Sequence, residues 1–145
     1  MELGHFFMVP VSYLGILLCG VASMVIGFLW YGPLFEKPWM KMTGMTPEKQ
    51  AKAKKEMSKT YGLMFVSSLV MAYVLAHFIW YAAPGSLTLF IAVKTAVWAW
   101  IGFVATSAFS KFLFNVEKKP WSLFAIETGY YLVTLIVMGA ILYFV

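Results

Sequence analysis

The sequence predicts an all-α integral membrane protein: a four-helix bundle with an interfacial Trp-Tyr-Gly-Pro hook and a short cytoplasmic helix. Three observations predict it. Hydrophobic residues make up 62% of the chain and charged ones 12%, whereas a soluble domain is about half apolar and a quarter charged. The apolar excess must face something other than water. Four runs, at about 9–30, 61–83, 87–109 and 121–145, are almost free of charge, and each is close to the ~20 residues a helix needs to cross ~30 Å of hydrocarbon. Nearly all the lysines fall between those runs, in two of the connections. Backbone groups in lipid must be satisfied within the segment, so helices are the default, and no alternating barrel pattern is present. The length of 145 residues allows a single domain, 1–145.

The first run carries no charge and ends in Ile26 to Gly44, where the first lysines appear. Trp30, Tyr31 and Trp39 are amphipathic aromatics of the kind found at headgroup depth. Gly32-Pro33 is expected to stop the helix, because proline lacks an N–H and restricts the residue before it. Pro38-Trp39 then restarts the chain, with Lys37 and Lys41 available to phosphates. Together these residues read as a hook that fixes the depth of the later spans.

The segment 35–60 is the long connection, read as a cytoplasmic loop. Within it Thr46-Pro47-Glu48 signals a helix start, with threonine as N-cap, proline at the first helical position and an acid in the first turn. The lysine-rich run after it has a thin apolar face, Ala51, Ala53 and Met57, and reads as a solvated helix. Its lysines attract anionic lipid headgroups at ~1 kcal/mol each near the surface. Ala83-Pro84-Gly85-Ser86 is a tight turn between the second and third spans. The connection 110–120 is short and basic. Ten of the eleven lysines lie on one side of the membrane by this count, which makes that side cytoplasmic and places both termini outside. In a bacterium the home is the inner membrane. The opening residues do not resemble a secretory signal peptide.

Helices in lipid associate through close approach at small residues. Stripes at helical spacing are Ser12, Gly15, Cys19, Ser23, Gly27 and Trp30 in the first span, and Ser68, Ala72 and Ala76 in the second. The third has Ala99, Gly102, Thr106 and Ser110, and the fourth Ala125 and Gly129. Four helices make a thin bundle, so a homo-oligomer is expected.

Trp30-Tyr31-Gly32-Pro33-Leu34-Phe35 followed by Lys37-Pro38-Trp39-Met40 resembles the signature of the DUF1761 family of small uncharacterised four-span membrane proteins. Trp100-Ile101-Gly102-Phe103 and Gly129-Tyr130-Tyr131 with Val137-Met138-Gly139 fit the same resemblance, which covers nearly the whole chain. Glu36 stands where the resemblance leads one to expect glycine. It implies a four-span membrane protein and no reaction or catalytic residue.

Ionisable residues inside spans are functional-site candidates. Lys94 and His77 lie at similar depth near the outer ends of adjacent spans, and Glu2 and His5 share that side, so an outer cluster of the four is one reading. The others are a snorkelling Lys94 and a His77 ring bonded to a neighbouring helix. Glu127 lies about two turns inside the inner end of the fourth span. Tyr131 and Thr134 continue from it as one polar stripe. By depth its partners are Thr106, Ser107 or Lys111 on the third span, or Ser67 and Ser68 on the second.

Catalysis finds little footing. There is no aspartate, no GxSxG and no HExxH, and the glycines form no nucleotide-binding loop. No metal-ligand spacing and no cofactor motif is present. The net charge of +5 comes without a single arginine, the commonest bidentate reader of guanine and phosphate, so nucleic acid is not an expected partner. Cys19 is the sole cysteine and has no disulfide partner in the chain. The expected function is a non-enzymatic oligomeric membrane component that passes a small solute, ion or proton by Glu127. The alternative is a scaffold whose lysine-rich loop holds a cytosolic partner or anionic lipid.

Overall fold

A computed structural model describes residues 9–145. Its helices are α1 (Tyr13–Leu29), α2 (Glu36–Thr43), α3 (Pro47–Lys55), α4 (Met57–Ala82), α5 (Leu89–Ala99), α6 (Thr106–Leu113) and α7 (Trp121–Phe144). A π-helical turn, Trp30–Leu34, joins α1 to α2, and a second, Trp100–Ala105, joins α5 to α6. No strand occurs among the described residues. Four stretches are long and apolar enough to cross a bilayer: Tyr13–Leu34, Met57–Ala82, Leu89–Leu113 and Trp121–Phe144. The protein is therefore an all-α membrane protein. Glu2 and His5, half of the predicted outer cluster, lie outside the described residues.

Local chemistry sets the ends. Ser12 Oγ accepts from Gly15 N at 3.0 Å, Thr46 Oγ1 from Lys49 N at 3.2 Å and Thr88 Oγ1 from Ile91 N at 3.2 Å. Each satisfies one of the N–H groups that a helix start leaves unpaired. Gly44 closes α2 at φ +70°, and Gly85 turns the chain between α4 and α5 at φ +75°, conformations that favour glycine. The segment 35–60 is not a loop with one helix. It holds α2, α3 and the first turn of α4, and the chain resumes at Glu36 rather than at Pro38.

In the bundle α1 packs against α4 and α7, and α5 packs against α7 and α4. The tight core is Ile16, Cys19, Ala72, Leu75, Ile79, Ala92, Ala96, Leu135 and Met138. All nine lie in the half of the bundle away from the lysines. Small residues allow the approach. A Cβ on Gly139 would stand 3.0 Å from Ala92 O, Ala92 and Ala96 are fully buried, and the Cys19 thiol reaches Met138 O at 3.6 Å. Outward residues such as Phe28, Phe90 and Phe103 are about as exposed as a side chain can be in a helix, at 75%, 73% and 65%. In water that would be a defect; in lipid it is the required surface.

Three of the predicted stripes lie at helix contacts and one does not. Gly15, Cys19 and Ser23 of α1 are buried, Gly27 faces the Tyr130 ring, and Ala72 of α4 is fully buried. In the fourth span Gly129 meets the Trp30 ring while Ala125 points outward. The third stripe is the correction. Gly102, Thr106 and Ser110 are exposed, a Cβ on Gly102 would meet nothing within 4 Å, and Ala92 and Ala96 do the packing instead. The physical reason is the second π turn. One inserted residue rotates everything after it by about 100°, so a stripe drawn at constant helical spacing across residues 100–105 is not one face.

Candidate functional site at the lysine end

Towards the lysines the bundle opens. The third span and α4 meet at the Phe78 and Phe103 rings, 6.1 Å apart, but α4 and α6 make at most slight contact. Glu127 lies in this half. Its neighbours Ile126 and Thr128 are buried, and so are Tyr130, Thr134 and Met138 at i+3, i+7 and i+11. Residues at that spacing share one helix face, so Glu127 sits on the inward face of α7. It is nevertheless exposed. Along the stripe, exposure rises from 1% at Thr134 to 38% at Tyr131, and Glu127 too is exposed. The predicted stripe Glu127, Tyr131, Thr134 thus runs from the closed core to an exposed carboxylate. Thr134 Oγ1 is buried without a hydrogen-bond partner among the described residues.

The backbone of α7 is gripped on both sides of Glu127. Trp30 Nε1 donates to Ile126 O at 2.9 Å, and Trp100 Nε1 donates to Thr128 O at 2.8 Å. Each tryptophan opens a π turn, and both of those carbonyls already belong to the helix ladder. A buried indole N–H needs an acceptor, and in a helix bundle the neighbouring backbone is what is at hand. Gly129 makes room: a Cβ there would stand 3.2 Å from the Trp30 ring. Glu127 is within electrostatic reach of the Tyr31 and Tyr131 hydroxyls. No hydrogen bond or ion pair engages its carboxylate among the described residues.

The partners expected for Glu127 are engaged elsewhere. Thr106 and Ser107 donate to their own helix at Gly102 O and Phe103 O, both at 2.6 Å. Ser68 donates to Met64 O at 2.9 Å and meets Ser23 Oγ at 2.9 Å. Ser67 and Lys111 are exposed. Short hydroxyls on a helix satisfy themselves one turn back, which leaves the carboxylate to others.

Lys94 and His77 are not brought together. The Lys94 ammonium lies 5.8 Å from the Phe90 ring on its own helix. His77 is not bonded to a neighbouring helix: its Nδ1 pairs with Tyr73 O of the same helix at 2.8 Å, in an aromatic row with Tyr73 at 4.5 Å and Tyr81 at 6.2 Å. Among the described residues no three His, Cys, Asp or Glu gather as a metal site would need.

The hook also needs correction. Its aromatics are packed on one another and on α7 rather than standing free. Trp30 reaches into the bundle, and Tyr31 packs edge-on against Trp39 at 5.5 Å and against Tyr130 at 5.6 Å. Gly32 takes φ −106°, ψ −105° inside the π turn that also holds Pro33. Regular helix thus breaks at Gly32, as expected, and the first span ends at Leu34. Lys37 and Lys41 behave as expected of surface groups, being exposed.

Behind Tyr31 lies a cavity of about 730 Å³. Ser23 and Tyr130 line it and belong, with Ser68 behind them, to a polar trio that sequence reasoning missed as a unit. Ser23 Oγ meets Tyr130 Oη at 3.1 Å as well as Ser68 Oγ, and Tyr130 Oη donates to Ser23 O at 3.1 Å. Its walls carry Met24, Met40, Met45, Met57 and Met64, together with Phe28, Tyr31, Trp39 and Tyr61. Gln50 and Ala53 of α3 and Glu36 of α2 complete it. Of the thin apolar face predicted there, Ala53 and Met57 are cavity wall and Ala51 is not. Trp100 was equally missed. Its signal was present, a tryptophan placed mid-run rather than at the end of one, with an N–H that lipid cannot satisfy.

Comparisons with curated proteins and with solved structures found no match. The family model described as "Protein of unknown function (DUF1761)" matches residues 14–143, which include both π turns and their tryptophans, the polar trio and Glu127, and the chain belongs to that family.

Proposed function

We propose that this membrane protein is a non-enzymatic, homo-oligomeric component that passes protons or a small solute by way of Glu127. One observation carries the reading: an ionisable side chain on the inward face of a span, exposed and with no partner among the described residues. Such a residue is costly in a membrane unless function retains it. The stripe continues through Tyr131 to the Thr134 hydroxyl, about 10 Å along the helix axis at ~1.5 Å per residue. Beyond Thr134 the fully buried Met138 closes the way, so passage requires the far half of the bundle to part. In this reading the lysine end faces the cytoplasm of a bacterium, and Glu127 takes up its proton or solute from that side. Purified protein in liposomes bearing a trapped pH dye and an imposed pH gradient tests it. Wild type is expected to dissipate the gradient, and Glu127→Gln to fall to the rate of protein-free liposomes. Equal rates for the two would remove Glu127 from any proton path.

A second reading has its own observation. Lys49, Lys52, Lys54 and Lys55 are all exposed on α3, as a scaffold for a cytosolic partner or anionic lipid requires. Reversing all four to glutamate is expected to lower binding of phosphatidylglycerol vesicles to the detergent-solubilised protein by more than tenfold, at ~1 kcal/mol per lysine near the surface. Unchanged vesicle binding and an unchanged set of co-purifying proteins would end the scaffold reading.

A further inference from the structure

We propose that the cavity under the hook is a binding site for a free lipophilic organic cation. Glu127 does not line it. Three features select that chemistry. Glu36 is the charged residue on its wall, and none of the surrounding lysines lines it. Tyr31, Trp39 and Tyr61 supply aromatic rings, and the negative face of such rings attracts a cation that is weakly hydrated. The five methionines supply polarizable, unbranched side chains that adapt to bulky apolar groups. A volume of about 730 Å³ falls within the range of small-molecule sites, about 300–1,000 Å³. The buried Ser23–Tyr130 pair in its lining offers hydroxyl oxygens to a polar substituent.

The position of the cavity supports the same class. It is bounded by the last turns of α1 and the first turns of α4 on the membrane side, and by α2 and α3 on the lysine side. A ligand entering here moves between headgroup and acyl depth, where amphipathic cations concentrate. An anionic amphiphile would have Glu36 against it and no lining lysine in its favour.

The test uses the intact chain in nanodiscs of phosphatidylethanolamine and phosphatidylglycerol, which carry no quaternary ammonium of their own. The probes are tetraphenylphosphonium and tetraphenylborate, alike in size and shape and opposite in charge, each counted above protein-free nanodiscs. The phosphonium is expected to bind saturably at one site per chain and the borate not to displace it. Glu36→Gln is expected to weaken binding about fivefold, as for a partly screened ion pair, and Trp39→Ala about tenfold, from the lost ring. Ala53→Phe fills the cavity from the exposed helix α3 without touching the bundle core, so it is expected to fold and to abolish binding. Lys52→Gln on the same helix does not line the cavity and is expected to bind as wild type does. Borate binding equal to phosphonium binding, or phosphonium binding that survives Ala53→Phe, would overturn the proposal. So would loss of phosphonium binding when choline lipid is substituted, because the occupant would then be a lipid headgroup.

Discussion

Gly139→Leu is expected to destabilise the bundle by about 3 kcal/mol, the upper end of the usual cost of overpacking. The position admits no side chain. A Cβ there would stand 3.0 Å from the carbonyl oxygen of Ala92 and 3.4 Å from its carbonyl carbon. Those atoms are α5 backbone, which cannot rotate aside as a side chain would. The helices must separate, and the contacts of fully buried Ala92, Ala96 and Met138 go with them. No hydrophobic force between helices compensates, since lipid fills the gap as readily as leucine. Gly102→Leu is the matched control. A Cβ on Gly102 would meet nothing within 4 Å, so that change is expected to be neutral or slightly stabilising through helix propensity. Unfolding by denaturing detergent, followed by circular dichroism or steric trapping, separates the two. Equal stability of Gly139→Leu and wild type would mean that α5 and α7 are not in backbone contact.

Trp30→Ala is expected to cost about 3 kcal/mol, the low end for truncating a packed aromatic ring, and to reduce flux further than its stability loss explains. The ring fills the space that Gly129 leaves, and the indole N–H holds Ile126 O. Trp30→Phe keeps most of the ring and loses the hydrogen bond, so its stability cost is expected to be only about 0.6 kcal/mol, typical between membrane helices. If Glu127 depends on its stretch of α7 being held, Trp30→Phe still lowers proton flux at near-normal stability. A Trp30→Phe protein with full flux would show that the indole bond serves packing alone.

Much of the architecture is legible in the order of residues. The absence of charge over four runs requires lipid, and lipid requires helices, so Tyr13–Leu34, Met57–Ala82, Leu89–Leu113 and Trp121–Phe144 follow from composition and length. The Thr46-Pro47-Glu48 start and the Pro84-Gly85 turn are local chemistry, readable wherever they occur. Small residues pointed to α1, α4 and α7 contacts for the same reason: only they let backbones approach.

The candidate site was half legible. Glu127, Tyr131 and Thr134 share a face because the spacing of α7 is uninterrupted from Trp121 to Phe144. Their partners were misjudged, because a hydroxyl such as Thr106 or Ser107 prefers the carbonyl one turn back to a carboxylate across the bundle. His77 followed the same local preference. Depth along the membrane normal says which groups share a level; it does not say which way they turn.

Sequence by itself determined the solvent, the spans and the side on which the lysines gather, because these depend on how many apolar residues succeed one another and where charge interrupts them. Only the tertiary structure decided which faces meet. A π turn shifts the phase of the third span after Trp100, leaving the face of Gly102, Thr106 and Ser110 uncovered. A one-residue insertion changes neither composition nor hydropathy, yet it rotates every later side chain by about 100°. The exposed Glu127 on the inward face of α7 and the methionine-lined cavity under the hook likewise emerge only once the helices are packed.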